Sequence, residues 1–567
     1  MRSIDAPKPQ PYRVREEPLG TTRHLRIITI GAGISGLNMI RTLRKTMTEY
    51  SHIVYEKNPD VGGTWHENRY PGCECDHPSH SYQFTWRKNP RWSRFSAGAR
   101  EIEQYLLDVC EEESLRSEIR TSHQVVGAQW ERDAGQWVVT VKDLSTNRVF
   151  EDRCQFLLNA TGILNNWKWP DIPGLTEFAG ERVHSAAWPD DFQYHGKRVA
   201  VIGNGSSGVQ IVPAIQPDVQ RLVHFVRSPT WIAPPQTERM LQGEILQSAQ
   251  MDGNLFKPEQ KERFANDREY YQAFIRAIEE QVNARFRTMV NNDGLAEILQ
   301  RNLEQHMASV LKDRPDLIKA VIPTGFPAGC RRLTPGPGYL ESLTSPNVRV
   351  VTQSIRRVLP RGIELTTGEI IELDCIICAT GFDVSFCPRF PIIGANRCNL
   401  QDQWKRDLPA AYMSCAVAGM PNYFMFMGPN APIGHGSVVS IAEQVAKYIV
   451  RMLKKCQTEG IKSIVPKASA VQEFTQHART FLPRTIWAGN CRSWYKNGTV
   501  DGPIIALHPG SRIHWFHMME IFRPEDYDYE YLCTVNRFHF LGNGFSAREA
   551  GRNPTWYLES LSDYSKF

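Results

Sequence analysis

The chain has 567 residues, of which 41% are hydrophobic and 22% are charged, and its formal net charge is +5. This length exceeds what one hydrophobic core usually serves, so two or three domains are expected, and the composition excludes a chain that is disordered over most of its length. Since the excess positive charge is small for this length, it predicts no nucleic-acid partner and only mildly favours anionic cofactors.

The ends of the sequence predict neither export nor membrane insertion. The first twenty residues are polar and lack the apolar core of a secretory signal, and we find no run of about 18 apolar residues that could form a transmembrane helix. The last four residues, Tyr-Ser-Lys-Phe, are not a peroxisomal or retention signal. The 13 cysteines are scattered and odd in number, which predicts reduced thiols in a reducing compartment. A cytoplasmic location is therefore expected.

The first elements of the chain form a dinucleotide-binding signature. A predicted strand over residues 26–30 leads into a glycine loop, Gly31-Ala-Gly33-Ile-Ser-Gly36, and an amphipathic helix then runs to about residue 48. A second predicted strand, over residues 52–56, ends in the acid Glu56. In this pattern the glycines permit a tight turn, close approach of the backbone to a pyrophosphate and close packing of the helix, while the acid binds a ribose hydroxyl. The helix N-terminus adds free N–H groups for the phosphates.

The same unit recurs later in the chain. A predicted strand over residues 198–202 leads into a second glycine loop, Gly203-Asn-Gly205-Ser-Ser-Gly208, and a helix and a strand over residues 221–226 follow. The residue at the position of the acid is now Arg227, with Ser228 after it. A cation there suits a 2′-phosphate better than a bare ribose diol, although an ordinary surface arginine is the alternative. We therefore expect FAD at the first loop and NADPH, rather than NADH, at the second.

The remaining segments predict how the two units are connected. Residues 234–322 are rich in Glu, Gln, Arg and Lys with helical apolar spacing, which predicts a helical insertion. Two Ala-Thr-Gly turns, ending at Gly162 and Gly381, each follow an apolar strand and mark crossings between nucleotide domains. The expected fold is α/β, with two Rossmann-like dinucleotide-binding domains, for FAD and NADPH, and a helical insertion. The predicted segments are the N-terminal part of the FAD domain at 1–163, the first part of the NADPH domain at 164–233, the insertion at 234–322, the second part of the NADPH domain at 323–383, and the C-terminal part of the FAD domain with its cap at 384–567.

Two close pairs of cysteines raise other kinds of chemistry. Cys375 and Cys378 have the C-x-x-C spacing of redox pairs, but they lie in an apolar run that predicts a buried strand, whereas redox pairs usually lie at a helix N-terminus. Cys73 and Cys75 stand near two histidines but lack the second cysteine pair of a zinc site. We expect neither a catalytic disulfide nor a metal ion at these positions.

The linker between the two glycine loops carries a longer pattern. Residues 178–189, Phe-Ala-Gly-Glu-Arg-Val-His-Ser-Ala-Ala-Trp-Pro, match every fixed position of F-x-G-x-x-x-H-x-x-x-W-[P/D]. The sequence thus resembles the Baeyer–Villiger monooxygenases, which insert an oxygen atom into ketones. Residues 62–76 are similar to the family segment G-G-T-W-x-x-N-R-Y-P-G-x-x-x-D, which borders the flavin and accounts for the nearby cysteines without a metal. The resemblance implies that His184 couples the domains rather than acting as an acid or base, and taken alone the Phe, His and Trp would be core residues.

A third block implies the catalytic residues. The segment from Gly329 to Tyr339, Gly-Cys-Arg-Arg-Leu-Thr-Pro-Gly-Pro-Gly-Tyr, keeps the family's spacing from arginine to tyrosine, so Arg332 matches the catalytic arginine. Arg331 replaces the lysine that helps to hold the NADPH 2′-phosphate, which retains the charge and changes its geometry. By the same resemblance, Asp76 would hold Arg332 in position. This form of the block looks like a fungal branch that acts on polycyclic ketones, including steroids and polyketide or terpenoid intermediates.

The resemblance also implies the cofactor contacts. Residues 428–437 resemble the segment that closes over the flavin, and Trp494 matches a tryptophan that reaches the nicotinamide ribose, with plain core packing as the alternative. The expected contacts are Gly31, Gly33, Ser35, Gly36, Glu56, Lys57, Gly63, Thr64, Trp65, Asp76, Tyr82 and Val125 around the flavin nucleotide, and Gly203, Gly205, Ser206, Ser207, Gly208, Arg227, Ser228, Arg331 and Trp494 around the coenzyme.

Several activities remain open at this stage. Ketone insertion is the expected one, with a small-molecule ketone and O2 as partners and a monomer or weak homo-oligomer as the assembly. A flavin monooxygenase that acts on sulfur or nitrogen would use the same cofactors without an adjacent arginine. A pyridine-nucleotide disulfide reductase would need a cysteine pair beside the flavin, where Cys375 and Cys378 are badly placed. A nucleotide-binding protein without catalytic activity would not need Arg332, the arginine that matches the family's catalytic residue.

Overall fold

The computed structural model describes residues 12–241, 243–290, 294–550, 554–555 and 557–558 of the chain. Two parallel sheets of five strands each form the framework of this part of the molecule. From edge to edge, the strands of the first sheet are Tyr423–Met425, Phe156–Asn159, Leu25–Ile30, Tyr50–Tyr55 and Ile119–Arg120. The central strand is almost entirely apolar and buried, as is typical of a parallel strand covered on both faces.

The second sheet repeats this architecture around the second glycine loop. From edge to edge, its strands are Val348–Val351, Arg221–Phe225, Arg198–Ile202, Cys375–Cys378 and Glu181–His184. Each glycine loop follows the central strand of its sheet and leads into a helix, which is Ile34–Thr46 in the first unit and Ser206–Ile215 in the second. Both loops therefore lie at the carboxyl edge of a parallel sheet, where open α/β sheets bind their ligands.

The segment between the strands of the second sheet is mostly helical. Its helices are Gln236–Met240, Glu244–Gln247, Pro258–Asn266, Arg268–Ala284, Leu295–Val310 and Pro315–Val321. Proline at the first position starts two of them, and the side chain of Asp267 caps the longest by accepting a hydrogen bond from the N–H of Tyr270. The two ends of the segment meet, because Ile232–Ala233 pairs in parallel with Thr334–Pro335.

The C-terminal region returns to the first sheet. Strand Tyr423–Met425 pairs with Phe156–Asn159 at the edge of that sheet. The long helix Val438–Thr458 packs against Ile34–Thr46 in one shared core. The other α-helices of the described residues are Thr64–Glu67, Ala99–Glu112, Tyr339–Leu343, Leu400–Arg406, Ala468–Phe481 and Arg512–Glu520.

Antiparallel sheets cover the edges of this framework. They comprise a three-stranded sheet of Ile355–Leu359, Gly362–Leu365 and Ile370–Glu372, two pairs, Met251–Asp252 with Leu255–Phe256 and Ile461–Pro466 with Tyr527–Tyr531, and the three strands His123–Glu131, Gln136–Asp143 and Val149–Cys154. A fourth strand, Ile392–Ile393, joins the last sheet by pairing in parallel with His123–Glu131. The predicted fold class, two Rossmann-like units with a helical insertion, is confirmed. No helix within the described residues has the length and apolar character needed to cross a membrane.

The cysteines agree with the sequence expectation except at one pair. Cys375 and Cys378 lie in a fully buried strand, where burial raises the pKa of the two thiols to about 11 and about 12 and keeps them protonated. Cys330 and Cys491, however, form a disulfide, so the expectation that all thiols are reduced is wrong for this pair. The two residues are 161 positions apart in the sequence, and nothing in their spacing indicated that folding would bring them together.

Candidate active site

A cavity of about 280 Å³ lies at the carboxyl edge of the first sheet. The residues predicted to contact FAD that line it are Gly31, Gly33, Ser35, Glu56, Lys57, Gly63, Thr64, Trp65, Tyr82 and Val125. Gly36 lies beneath the loop, and a Cβ atom there would stand 2.0 Å from the carbonyl oxygen of Gly31, so only glycine lets the helix begin this close to the strand. The glycine cradle and the cavity together fit a bound dinucleotide.

Glu56 supports the first glycine loop. Its carboxylate accepts one hydrogen bond from the N–H of Ala32 at 2.7 Å and another from the N–H of Asn58 at 2.8 Å. Burial raises the pKa of Glu56, and these two hydrogen bonds oppose that effect. The neighbouring Lys57 forms an ion pair with Glu67, with 2.7 Å between Nζ and Oε1. Glu56 is thus fixed at the wall of the cavity, where its carboxylate can accept a hydrogen bond from a ribose hydroxyl.

An aromatic pair forms another wall of this cavity. The indole N–H of Trp65 donates a hydrogen bond to the hydroxyl of Tyr82 at 3.2 Å, and the two rings meet almost at right angles with centroids 5.6 Å apart. Burial raises the pKa of Tyr82 far above its ordinary value, so its hydroxyl stays neutral. Edge-to-face packing of this kind holds both rings in place and gives the cavity a rigid, largely apolar side.

The second glycine loop has the same geometry as the first. A Cβ atom on Gly208 would stand 2.0 Å from the carbonyl oxygen of Gly203. Gly205 and Ser206 are exposed, and the helix begins at Ser206, so its first N–H groups are open to a phosphate. The side chain of Asn204 donates a hydrogen bond to the carbonyl of Ser228 at 2.8 Å, which ties the loop to the end of the neighbouring strand.

Two predicted cations lie together beside this second loop. Arg227 is exposed at the end of strand Arg221–Phe225. Burial lowers the pKa of Arg331, and the positive charge of Arg227 lowers it further, which places the two guanidinium groups within electrostatic reach of each other. The Nε atom of Arg331 is buried and has no hydrogen-bond partner in the described structure. Two cations without a carboxylate between them form a site suited to a phosphate.

Arg332 and Asp76, which are 256 positions apart in the sequence, form a bidentate ion pair. The Nε atom of Arg332 donates to Oδ2 at 2.7 Å, and Nη2 donates to Oδ1 at 2.8 Å. The charge of Asp76 raises the pKa of Arg332, so this guanidinium is always protonated. Burial alone would raise the pKa of Asp76, but the charge and hydrogen bonds of Arg332 outweigh burial and hold that pKa below its ordinary value. The structure thus brings together the two residues predicted to be catalytic.

The pair lines a cavity of about 80 Å³ together with Arg331, which was predicted as a coenzyme contact, and with residues that were not predicted as site residues. The polar ones among them are His77, Gln236, Arg239, Arg285, His435 and Tyr495. Burial lowers the pKa of His77 to about 3 and that of His435 to about 4, so both imidazoles are neutral near pH 7. Burial also raises the pKa of Tyr495 to about 12, which leaves its hydroxyl protonated. The arginines therefore provide all the positive charge of this cavity.

Trp494 does not line either of these two cavities. Its side chain is half-buried and packs against the core that surrounds helix Val438–Thr458. The next residue, Tyr495, is buried and reaches the cavity at Arg332 instead. The disulfide holds the segment that carries both residues next to the segment that carries Arg331 and Arg332. Contact of Trp494 with the coenzyme stays a prediction.

His184 lies at a junction between elements and not in the cavity at Arg332. Its ring stacks on Trp167 with centroids 4.6 Å apart, and its Nε2 atom lies 3.2 Å from the hydroxyl of Thr380, in the second Ala-Thr-Gly turn. Burial lowers the pKa of His184 to about 4, so the imidazole is neutral and not suited to proton transfer near pH 7. This placement favours a coupling role. Within the described chain, no cluster of three or more His, Cys, Asp or Glu side chains is arranged to hold a metal ion.

Comparison with known proteins gives a consistent family assignment. Residues 29–98 match the NAD(P)-binding Rossmann-like domain, and residues 94–257 match the flavin-binding monooxygenase-like family. The chain is 41% identical over 536 residues to the FAD-binding monooxygenase tazF of Aspergillus terreus, which covers 93% of both chains. It is 32% identical over 500 residues to a Baeyer–Villiger monooxygenase of Streptomyces coelicolor, covering 86% of this chain and 89% of that one.

Among solved structures, the chain resembles a cyclohexanone monooxygenase from Rhodococcus sp. Phi1 bound to NADP⁺. The TM-score is 0.76 at 25% identity, and the match covers 91% of this chain and all of the other.

Proposed function

Because this chain belongs to the flavin-dependent monooxygenases of the Baeyer–Villiger type, we propose that it inserts one oxygen atom of O2 next to the carbonyl group of a ketone to give an ester or lactone. The observation that carries this proposal is the ion pair of Arg332 and Asp76 at the wall of a cavity. A sulfur- or nitrogen-oxygenating enzyme would not need a fixed cation at this position.

The cofactors of this family, FAD and NADPH, have matching sites in the chain. When bound, they supply hydride transfer from the nicotinamide to the flavin and activation of O2. We propose that the first glycine loop, Glu56 and the wall of Trp65 and Tyr82 hold FAD. The second glycine loop would hold the NADPH pyrophosphate, and Arg227 with Arg331 would bind its 2′-phosphate.

Arg332 would act through electrostatics. Oxygen insertion builds negative charge first on the attacking oxygen and then on the former carbonyl oxygen, and a fixed guanidinium lowers the free energy of both charges. Asp76 occupies Nε and Nη2, so Nη1 remains to face the cavity. The carboxylate thereby fixes the direction in which the cation acts. Enclosure of the site would exclude water, which otherwise competes for the reactive oxygen.

We further propose a bulky, polycyclic ketone of fungal secondary metabolism as the substrate. The amino-acid sequence of the segment from Gly329 to Tyr339 supports this substrate class. The chain is also more similar to a fungal relative, at 41% identity, than to a bacterial one, at 32%. Since the cavity at Arg332 measures about 80 Å³ here, such a substrate requires the helical segment that lines it to move outwards. The predicted domain boundaries, the cytoplasmic location and a monomeric or weakly oligomeric state remain predictions.

The proposal is tested by following the origin of the oxygen atom in the product. Purified enzyme with FAD is supplied with NADPH, ¹⁸O2 and a panel of polycyclic ketones, and products are identified by mass spectrometry. An ester or lactone containing one ¹⁸O atom is expected. Oxidation of thioethers only, with every ketone recovered unchanged, would instead show the sulfur-oxygenating activity.

Substitution of Arg332 should separate ketone insertion from thioether oxidation in the same enzyme. Arg332→Ala is expected to lower kcat for ester formation about 100-fold or more, because the developing negative charge loses its fixed partner. Thioether oxidation should persist, since it does not depend on that charge. Ester formation at the wild-type rate in this variant would contradict the role of Arg332.

A further inference from the structure

The cavity at Arg332 contains more positive charge than the proposed chemistry uses. Its charged lining consists of four arginines and one aspartate: Arg239, Arg285, Arg331, Arg332 and Asp76. Asp76 is engaged by Arg332 through both of its oxygens, and Arg331 lies beside Arg227 at the proposed phosphate site. Arg239 and Arg285 remain, and within the described residues neither forms an ion pair with a carboxylate; Asp76, whose charge raises the pKa of Arg285, is itself paired with Arg332.

A glutamine connects Arg285 to the proposed catalytic pair. Nη2 of Arg285 donates a hydrogen bond to Oε1 of Gln236 at 3.1 Å, and Nε2 of Gln236 donates to the backbone carbonyl of Asp76 at 2.8 Å. Arg239 follows Gln236 by three positions in helix Gln236–Met240, so both side chains leave the same face of that helix. Arg285 is therefore held next to Asp76, the residue that orients Arg332, and Arg239 lines the same cavity.

Among the described residues that line this cavity, Asp76 is the only carboxylate. His77 and His435 are neutral, as described above. The nearby carboxylate of Glu279 is occupied by the buried guanidinium of Arg512. Burial lowers the pKa of Arg285 to about 10, the charges of Arg239 and Arg332 lower it further, and the charge of Asp76 opposes these effects. Desolvated cations without a counter-ion are costly in a folded protein and are usually matched by a ligand.

We propose that Arg239 and Arg285 form a binding subsite for a carboxylate carried by the ketone substrate. A planar carboxylate matches the paired N–H donors of guanidinium groups, and two such groups surround it with complementary charge. The substrate class is then a keto acid, held by its carboxylate at this wall with its carbonyl towards Arg332. This inference rests on the proposed function, since it names the substrate of the same site.

The test compares a polycyclic ketone that carries a carboxylate with its methyl ester. The wild-type enzyme is expected to show a kcat/KM for the acid about tenfold or more above that for the ester. In Arg239→Gln and in Arg285→Gln this ratio should fall towards one, because each variant removes one of the two cations that distinguish the acid from the ester. Arg287→Gln, which changes an exposed arginine two positions from Arg285, serves as the matched control and should keep the wild-type ratio.

A binding measurement makes the result independent of turnover. Calorimetry with the FAD-loaded enzyme, NADP⁺ and a carboxylate analogue that lacks the ketone should give a Kd about tenfold weaker in Arg239→Gln and unchanged in Arg287→Gln. The Kd of NADP⁺ itself should be the same in all variants. FAD content and the unfolding temperature show whether each variant is folded.

The outcomes separate this inference from the proposed function. Equal kcat/KM for acid and ester in the wild type would overturn the carboxylate subsite, and so would weaker binding of NADP⁺ in Arg239→Gln, which would assign the cations to a coenzyme phosphate. If no ketone is converted but the analogue binds in an arginine-dependent manner, the subsite stands and ketone insertion fails.

Discussion

At the scale of single residues, the environment of each carboxylate decides what it does. Asp76 and Glu74 lie two positions apart in the same segment, yet their pKa values move in opposite directions. Asp76 is ionised because Arg332 contacts it through two hydrogen bonds. For Glu74, burial raises the pKa to about 7, Arg94 opposes this effect and Asp76 adds to it. One segment thus carries a permanent anion and a group that titrates near neutral pH.

Glu74 predicts a pH-dependent contribution to stability. Its pKa is higher in the folded state, so the folded protein retains a proton that the unfolded chain releases between about pH 4.5 and pH 7. Its contribution to the free energy of unfolding is therefore most favourable below that range and decreases as the pH rises through it. Glu74→Gln, which stays neutral, should unfold about 2–4 °C above the wild type at pH 8 and at the same temperature near pH 4.5.

Thermal unfolding followed by circular dichroism at both pH values checks this. Glu177→Gln changes an exposed carboxylate and should have no such effect. If Glu74→Gln unfolds at the wild-type temperature at pH 8, Glu74 is ionised at little cost and its pKa lies near that of an exposed carboxyl.

At the scale of elements, the two glycine loops have the same geometry and different proposed ligands. In each loop the third glycine lies so close to the carbonyl of the first that a Cβ atom would stand 2.0 Å from it. An added Cβ atom would therefore clash equally in both loops. Any difference between the effects of the two substitutions then reflects which cofactor each loop binds. This makes Gly36 and Gly208 matched controls for one another.

Substituting the third glycine of each loop should affect different cofactors. Gly36→Ala should lose most of its FAD during purification, because the helix N-terminus can no longer lie under the pyrophosphate. Gly208→Ala should retain FAD and show a KM for NADPH at least about tenfold higher. Flavin absorbance and steady-state kinetics distinguish these results, and loss of FAD to the same extent in Gly208→Ala would contradict the assignment of the second loop.

Local spacing explains which parts of this architecture were predictable. The residues from Gly31 to Gly36 are adjacent in sequence, so their pattern predicted the loop, the helix and the sheet edge together. Arg332 and Asp76 are 256 positions apart, and only the resemblance to a known family predicted their contact. Arg239 lies in helix Gln236–Met240 and Arg285 directly follows helix Arg268–Ala284; neither belongs to a motif, and the packing of these helices places both in the cavity. The sequence likewise singled out Trp494, whereas the structure places Tyr495 in the cavity.

At the scale of the whole molecule, a few long-range contacts hold the helical segment and the C-terminal region around the cavity. The buried guanidinium of Arg512 contacts Glu279 and Asn283 of helix Arg268–Ala284. The disulfide between Cys330 and Cys491 joins the segment of Arg332 to the C-terminal region. Both contacts connect parts of the chain that are distant in sequence, so they limit how far the walls of the cavity separate.

Loss of the disulfide should lower stability without removing the cofactor sites. Cys491→Ser is expected to reduce the free energy of unfolding by about 2–4 kcal/mol, since a cross-link that closes a long loop restricts the unfolded chain. Its unfolding temperature under non-reducing conditions should match that of the wild type after treatment with a reductant. Cys533→Ser, which changes a free cysteine, is the control. Equal unfolding temperatures of wild type and Cys491→Ser without reductant would contradict the bond.

The pairing of Ile232–Ala233 with Thr334–Pro335 also bears on how this enzyme could acquire new substrates. Neighbouring strands lie only about 4.8 Å apart, so the intervening residues, an excursion from 234 to 333, leave the sheet and return to it at nearly the same place. Insertions, deletions and exchanges between residues 234 and 322 therefore need not disturb the two glycine loops, whereas Arg331, near the end of the excursion, belongs to the proposed coenzyme site. Arg332 lies two positions before the returning strand, at the anchored end, while Arg239 and Arg285 lie within the excursion. Evolution, or a laboratory graft, is thus free to replace the surface that we propose selects the substrate and to keep Arg332, the cation that we propose stabilises the developing charge.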